Sequence, residues 1–395
     1  MKYGTFFLLF FCALSFERAD AAWTLYRAEG RDYVSLDEIA AFYGFPKPPA
    51  RDPIAKAASD LAVVLANPLL ALAPAAPLAP ATPAPSPIRL PSPKSVATEF
   101  GLALSQIADP TVKPITLDSG AMQLEVTAGQ REARINGVKQ WLAFPVREDG
   151  GKVLVSRLDL SKVIEPHLRP EAIEGCQPVT TVVLDPGHGG HDFGASSRYG
   201  FEKNFALDVA LRARTLLEAQ GYKVVMTRSA DVFVPLEQRP SIANHIAHSI
   251  FISIHFNSSS SNADARGFEI FSMAPRGAPA TNDASPRERD LRAEPGNAME
   301  LPSSALAGSV FHSLLGQVPM EDRGLKYARF AVLRLCSTPA VLVECGFVSN
   351  NEESTLISSG AWRARVAEAI ADGVESYKLL AEKKQRPKVL ADYRK

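Results

Sequence analysis

The chain has 395 residues, of which 46% are hydrophobic. That length is a prior for two or more domains, and the apolar share is ample for packed cores. Lysine plus arginine and aspartate plus glutamate number 43 each, so the net charge is zero. Nucleic acid is thereby excluded as the main partner, because phosphate binding shows as a basic excess.

Residues 1–21 read as a signal peptide: Lys2 supplies the charge, Phe6 to Phe16 the apolar segment, and Ala19-Asp20-Ala21 the small-x-small cleavage pattern. Cleavage after Ala21 leaves no membrane span expected in the mature chain, since about eleven apolar residues are short for a bilayer. Cys12 lacks the preceding small residue of a lipoprotein signal. The chain is therefore expected to be exported, to the periplasm or cell envelope. Mature Cys176, Cys336 and Cys345 are odd in number and show no Cys-x-x-Cys spacing, so no thiolate zinc site is expected.

From 22 to 170 the pattern predicts one small α+β domain, interrupted by a disordered insertion over about 46–114. Ser35 and Glu38 form a capping-box pattern ahead of Ile39-Ala40-Ala41-Phe42-Tyr43. Then 13 of the 30 prolines fall between Pro46 and Pro93, with alanine between them. Such a segment neither propagates a helix nor joins a sheet. Order returns near Ile115. Met122 to Val126 alternates as a strand, Asn136-Gly137 marks a hairpin turn, Val153 to Ser156 is a strand and Leu158 to Ile164 a short helix.

A second domain is predicted over 175–382. Thr181 to Leu184 is a buried strand, followed by a glycine loop holding His188. Glu202 opens a helix whose face is Ala206, Val209, Ala210, Ala213, Leu216 and Leu217. Tyr222–Thr227 is the next strand, Pro235–His248 a helix, Ser249–Ile254 a strand ending at His255, and Gly267–Phe271 another. Residues 273–302 are expected to form a mobile loop. Ser303–Gln317 is helical, Phe330–Leu335 and Ala340–Glu344 are strands, and Ala361–Ala381 closes the domain as a helix. Residues 383–395 make a basic tail, read as solvated. The predicted fold class is α/β: a mixed, largely parallel sheet with helices on both faces, preceded by the small α+β domain.

Three candidate ligands share one context, the C-terminal end of a strand or the element after it: His188, Glu202 and His255. Active sites of open α/β sheets lie at that edge. Two imidazoles and a carboxylate are a known catalytic zinc set with a fourth position open to water, and zinc lowers the pKa of such a water to about 7. Glu344, ending the strand Ala340–Val343, is placed to take the proton from that water and pass it to a leaving amine. Singly, each has a plainer reading: a loop histidine, a first-turn carboxylate, a core histidine, an ion-paired glutamate. His191, His245, His248 and His312 are assigned to surface or supporting positions. Asp185-Pro186-Gly187-His188-Gly189-Gly190 is neither a P-loop nor G-x-G-x-x-G. Ser253 beside His255 lacks the G-x-S-x-G of a nucleophile elbow.

The joint pattern resembles the zinc-dependent N-acetylmuramoyl-L-alanine amidases (the amidase_3 family) of bacterial cell walls. It comprises LDPGHGGHDFGA, Glu202-Lys203-Asn204, Thr227-Arg228, Leu236-x-x-Arg239 with Ala243-Asn244, Ser253-Ile254-His255-Phe256-Asn257, Arg323-Gly324-Leu325-Lys326 and PAVLVECGFVSN. The resemblance spans about Val179 to Leu380. It implies that His188, Glu202 and His255 bind Zn2+, that Glu344 is the catalytic glutamate, and that peptidoglycan is the substrate. The bond cut would be the amide between N-acetylmuramic acid and the stem peptide's L-alanine. Phe256 and Cys345 stand where smaller residues are usual. Some members carry a segment like 273–302 that covers the zinc until an activator moves it, so a protein activator is expected there. VSLDEIAAFYG and INGVKQWLAFPV resemble copper-amine-oxidase N-terminal-like stalk domains, which implies a wall-targeting role for 22–170. The alternatives are a zinc peptidase cutting another envelope amide bond, and a non-catalytic wall-binding protein on the same scaffold.

Overall fold

A computed structural model of the chain describes residues 23–48, 112–383 and 385. The leader, most of the Pro/Ala-rich insertion and nearly all of the basic tail lie outside the described residues. Among the described residues no helix is long and apolar enough to cross a membrane.

The chain enters as β1 (Tyr26–Ala28), β2 (Arg31–Ser35) and α1 (Leu36–Tyr43). Ser35 caps α1 by accepting from the Glu38 amide, and Gly44 ends it in the left-handed conformation. Then follow β3 (Ile115–Asp118), β4 (Gln123–Val126), β5 (Glu132–Ile135), β6 (Val138–Trp141), β7 (Arg147–Asp149) and β8 (Lys152–Ser156). Asn136 and Gly137 both have positive φ, 50° and 81°, as a two-residue type I′ hairpin requires. Helical turns follow over Arg157–Asp159, Leu160–Ile164 and Glu165–Leu168.

The second half contributes β9 (Thr181–Pro186), the short hairpin β10 (Ser196–Ser197) and β11 (Gly200–Phe201), and β12 (Lys223–Met226). It continues with β13 (Ser249–Asn257), β14 (Phe268–Met273), β15 (Asp322–Ala328) and β16 (Ala340–Phe347). Its helices are α2 (Glu202–Ala219), α3 (Gln238–Asn244), α4 (Glu300–Gln317), α5 (Ala331–Arg334), α6 (Asn351–Ser358) and α7 (Gly360–Lys383). β12, β9, β13 and β16 run parallel, and β14 lies antiparallel against β16, giving the expected mixed sheet.

Strand alternation assigns the two faces. Val182, Leu184, Ile250, Ile252, Ile254, Val341 and Val343 join residues of α2, α4 and α7 in the larger core. Val183, Phe251 and Leu342 face the other way, with Ala243 of α3 and Val332 and Leu333 of α5. By the same period of two, His255, Glu344 and Glu269 point to the α3/α5 face. Those two helices have only seven and four residues, so they leave that face partly open.

One expectation changes, and one strand is new. Phe330–Leu335 is not a strand: its central residues form α5, since a short apolar run does not by itself distinguish strand from helix. The neighbouring strand is β15, whose Asp322-Arg323-Gly324 start hid it from hydrophobic patterning. Residues 273–302 carry two 3-10 turns, at Glu288–Leu291 and Pro295–Met299, before α4 begins.

Chain segments 22–170 and 175–382 are joined in one sheet. Four strands form a separate sheet (β1-β2-β8-β7), but β3–β6 extend the second domain's sheet to ten strands through the pair Leu325↔Gln140. Without β6, β15 would expose an unpaired edge. Arg131, 4% exposed, ties the 273–302 segment to this junction: Nε donates to Leu142 O (2.8 Å), and Nη1 to Thr281 O (3.2 Å) and Asp283 O (2.9 Å). Arg131→Ala would strip three carbonyls of their charged donor. We expect a loss of about 2–4 kcal/mol in denaturant unfolding; a change under about 0.5 kcal/mol would mean the segment is not held there.

Candidate metal centre

The loop after β9 turns sharply because the sheet edge leaves little room. A Cβ on Gly187 would lie 2.2 Å from His255 Cε1, so only glycine lets the loop pass the imidazole. Gly194, at φ +65°, lies so close to the ligand set that a Cβ there would meet Glu202 Oε2 at 2.6 Å. His188 itself sits at φ +58°, a conformation L-residues with side chains avoid.

Two buried arginines hold that strained loop. Arg239, 2% exposed, pairs with fully buried Asp185 (Nη1–Oδ1 2.9 Å) and donates to the carbonyls of Pro186 (2.9 Å), His188 (2.8 Å) and Val234 (3.0 Å). Arg228 donates to the carbonyls of Pro186, Gly187, Lys203 and Ala230. Asp185 also accepts from Thr227 (2.6 Å) and Ser253 (2.7 Å), so the buried charge is fully satisfied.

On this frame three side chains converge. Ligand atoms of His188, Glu202 and His255 all lie within 4.8 Å of one another. Glu202 Oε1 is 3.0 Å from His188 Nε2 and 2.9 Å from His255 Nδ1, and accepts from the Phe256 amide at 3.1 Å. Its Oε2 accepts from the Ala195 amide at 2.8 Å. Burial would raise the Glu202 carboxyl, but hydrogen bonds and charge from both imidazoles outweigh it and hold it well below the usual carboxylate range. Burial opposes the charge on His188, yet Glu202 and Asp192 together raise it above the ordinary imidazole value. The donor set is therefore one anion and two nitrogens at one point, which suits a divalent cation of zinc type.

Glu344 lies beside them, register neighbour of His255 on one side and of Glu269 on the other. Its Oε2 is buried without a hydrogen-bond partner among the described residues. Burial, then the nearby Glu202 and Glu269 charges, push its carboxyl well above the ordinary value, against a weaker pull from Lys326. Glu269 is held by Lys326 (2.5 Å), Arg323 (2.7 Å) and Asn257 (2.8 Å). The site opens into a pocket of about 360 Å³ whose lining includes Leu236, Phe330, Ala331 and Val332. No residue of 273–302 lines it.

All four residues expected from the sequence thus meet at one place. Asp192, 2.9 Å from His188 Nδ1, was not anticipated: in sequence it is one loop acid among many. Arg239 and Arg228 stood out only through the resemblance, and Glu269 carried no signal of its own. The remaining histidines lie elsewhere: His191 stacks on Phe233 at 4.2 Å, and His245 Nδ1 faces Ser241 O at 2.6 Å.

A family model described as Amidase_3, N-acetylmuramoyl-L-alanine amidase, matches residues 182–376, a span that contains all four. The N-acetylmuramoyl-L-alanine amidase AmiA of Escherichia coli (strain K12) is 33% identical over 246 residues, covering 56% of this chain and 84% of that protein. AmiA of Salmonella typhimurium is 33% identical over 218 residues, covering 50% of this chain and 75% of that protein. Among solved structures, N-acetylmuramoyl-L-alanine amidase AmiC2 of Nostoc punctiforme is 33% identical, covering 51% of this chain and 98% of that chain, with a TM-score of 0.42. With a third of the positions shared over most of AmiA's length, the chain belongs to the Amidase_3 family of N-acetylmuramoyl-L-alanine amidases.

Proposed function

We propose that this chain is an exported, zinc-dependent peptidoglycan amidase that cleaves the amide between the lactyl group of N-acetylmuramic acid and L-alanine of the stem peptide. The observation that carries this reading is the meeting of His188, Glu202 and His255 beside a carboxylate, Glu344, with an unpartnered buried oxygen. His188, Glu202 and His255 would hold the ion. The chemistry it supplies when bound is polarisation of the scissile carbonyl and activation of a water.

The rest falls to the chain's own side chains. Asp192 Oδ1 lies 2.9 Å from His188 Nδ1 and would steady the ring by its charge. Arg239 and Arg228 keep the glycine loop from relaxing. Glu344 takes a proton at Oε2 and delivers it to the L-alanine nitrogen as the C–N bond breaks. Its raised pKa keeps that proton available for the leaving group. Export rests on Lys2, the apolar run Phe6–Phe16 and Ala19-Asp20-Ala21. In this proposal the first domain is a wall-targeting module, fastened to the catalytic half by the continuous sheet.

Purified protein on purified peptidoglycan should release stem peptides with free L-alanine amino termini, and a chelator should abolish the release; liberated sugars or free D-alanine would reject the bond assignment. Glu344→Gln should lower kcat by about 10²–10⁴ with metal content unchanged, and wild-type kcat in that variant would remove Glu344 from the chemistry. Metal affinity should depend on pH in a defined direction. His188 must be neutral to ligate, and its raised folded value means protons compete at higher pH than for an ordinary imidazole. Zinc binding, followed by calorimetry in two buffers, should release protons and weaken by roughly tenfold per unit as pH falls below that value. A pH-independent affinity would count against His188 as a ligand.

A further inference from the structure

A groove of about 980 Å³ lies between the first domain and the 273–302 segment, and the chemistry derived above does not use it. Its volume suits a small molecule or a short peptide. It shares no lining residue with the metal pocket. Its floor is a small apolar cluster in which Phe144 joins Ala143 and Ala278, with partly buried Leu158 against them. Fully buried Asp159 fixes that floor by accepting from the amides of Ala143 (2.6 Å) and Phe144 (3.1 Å). The two walls approach each other at Gly277 and Leu158: a Cβ on Gly277 would lie 3.8 Å from Leu158 Cδ1.

The residues preceding those two, Arg157 and Arg276, both line the groove and are both exposed. Neither guanidinium has a carboxylate partner among the described residues. Arg276 Nε donates to Leu291 O at 2.7 Å, which orients the group and leaves its outer nitrogens unbonded. Every acid in the lining is already neutralised: Glu29 by Arg147 at 2.6 Å, Asp32 by Arg27 at 3.1 Å, Glu294 by Arg334 at 3.2 Å and Glu300 by Lys162 at 3.0 Å. The remaining lining cation, Arg31, is shared with Glu29 at 3.5 Å and lies over the Phe144 ring. The groove therefore presents two unpaired positive charges beside an apolar floor. A guanidinium is planar and meets a carboxylate through two parallel hydrogen bonds. Neutral sugar rings offer nothing to two such groups, whereas a short peptide with carboxylates and aliphatic side chains satisfies charges and floor together.

We propose that this groove binds a short acidic peptide, with Arg157 and Arg276 each taking a carboxylate and the Phe144–Leu158 floor its aliphatic part. Naming the wall's stem peptide as that ligand rests on the amidase reading. The groove is then a wall-binding site separate from the metal pocket, and it holds the enzyme on its polymer at a distance from the amide being cut.

The test is calorimetry on the full, zinc-loaded chain with free stem peptide, the same peptide with every carboxylate converted to carboxamide, and glycan strands freed of peptide. The wild type should bind the acid form and not the carboxamide. Arg157→Gln removes a side chain with no partner in the fold, so the melting temperature should hold while stem-peptide binding weakens by about fivefold. Arg157→Gln/Arg276→Gln should weaken it by about tenfold or more and raise KM on intact peptidoglycan more than it lowers kcat. Arg157→Lys/Arg276→Lys, which keeps both charges, should bind more tightly than the glutamine pair. Stem-peptide binding unchanged in the glutamine pair, equal binding of acid and carboxamide, or a wild type that binds only glycan or neither probe would each overturn the site. The amidase reading fails separately, if wild type releases no L-alanine-terminated peptides from peptidoglycan; binding of the acidic peptide and its loss in the glutamine pair would still stand.

Discussion

The buried pair Arg239–Asp185 is the interaction on which the site's geometry depends. Both groups are removed from water, at 2% and 0% exposure, so the pair is worth little as bare attraction, because desolvation offsets most of it. Its effect is positional. Asp185 sits at the end of β9, and the guanidinium it holds reaches past it to the carbonyls of Pro186 and His188. Those bonds fix a loop in which His188 occupies a left-handed conformation it would otherwise leave. Strain at a functional residue persists only where its surroundings over-determine it, and here two arginines supply that constraint.

The site draws on both sides of the sheet. His255 and Glu344 face the α3/α5 side, while Glu202 opens α2, which packs on the opposite side. Glu202 reaches them because α2 begins at the sheet's C-terminal edge. This is why one carboxylate oxygen can meet two imidazoles and a backbone amide from β13. The open side of the pocket follows from the shortness of α3 and α5. α5 in turn leans on the 273–302 segment: Glu294 pairs with Arg334 at 3.2 Å, and a Cβ on Gly296 would lie 2.3 Å from Leu333 O. That segment is pinned to the first domain by Arg131. The pocket wall, the inserted segment and the first domain thus form one chain of contacts.

The candidate site was legible in the sequence because its residues sit where strands end, and strand ends are marked by apolar runs breaking into glycine or charge. Thr181–Leu184 before His188, Ser249–Ile254 before His255 and Ala340–Val343 before Glu344 each carry that mark. The Asn136-Gly137 hairpin and the Ser35 cap were legible for a similar reason: their geometry is set within four residues. Asp192, Glu269 and the arginine frame had no comparable local mark.

What the sequence by itself determined was most of the local set: which of the long apolar segments are strands or helices, where they break, and which polar residues stand at the breaks. What only the tertiary structure decided was adjacency. That β6 pairs with β15 and merges two sequence domains into one sheet, that Phe330–Leu335 coils into α5 instead of extending, and that Arg239 reaches Asp185 across 54 positions are outcomes of packing. The physical reason is that hydrophobic periodicity reports which face of an element is buried but not against what. Partner choice is settled by edges that must be paired and buried charges that must be satisfied, and both exist only once the chain has folded.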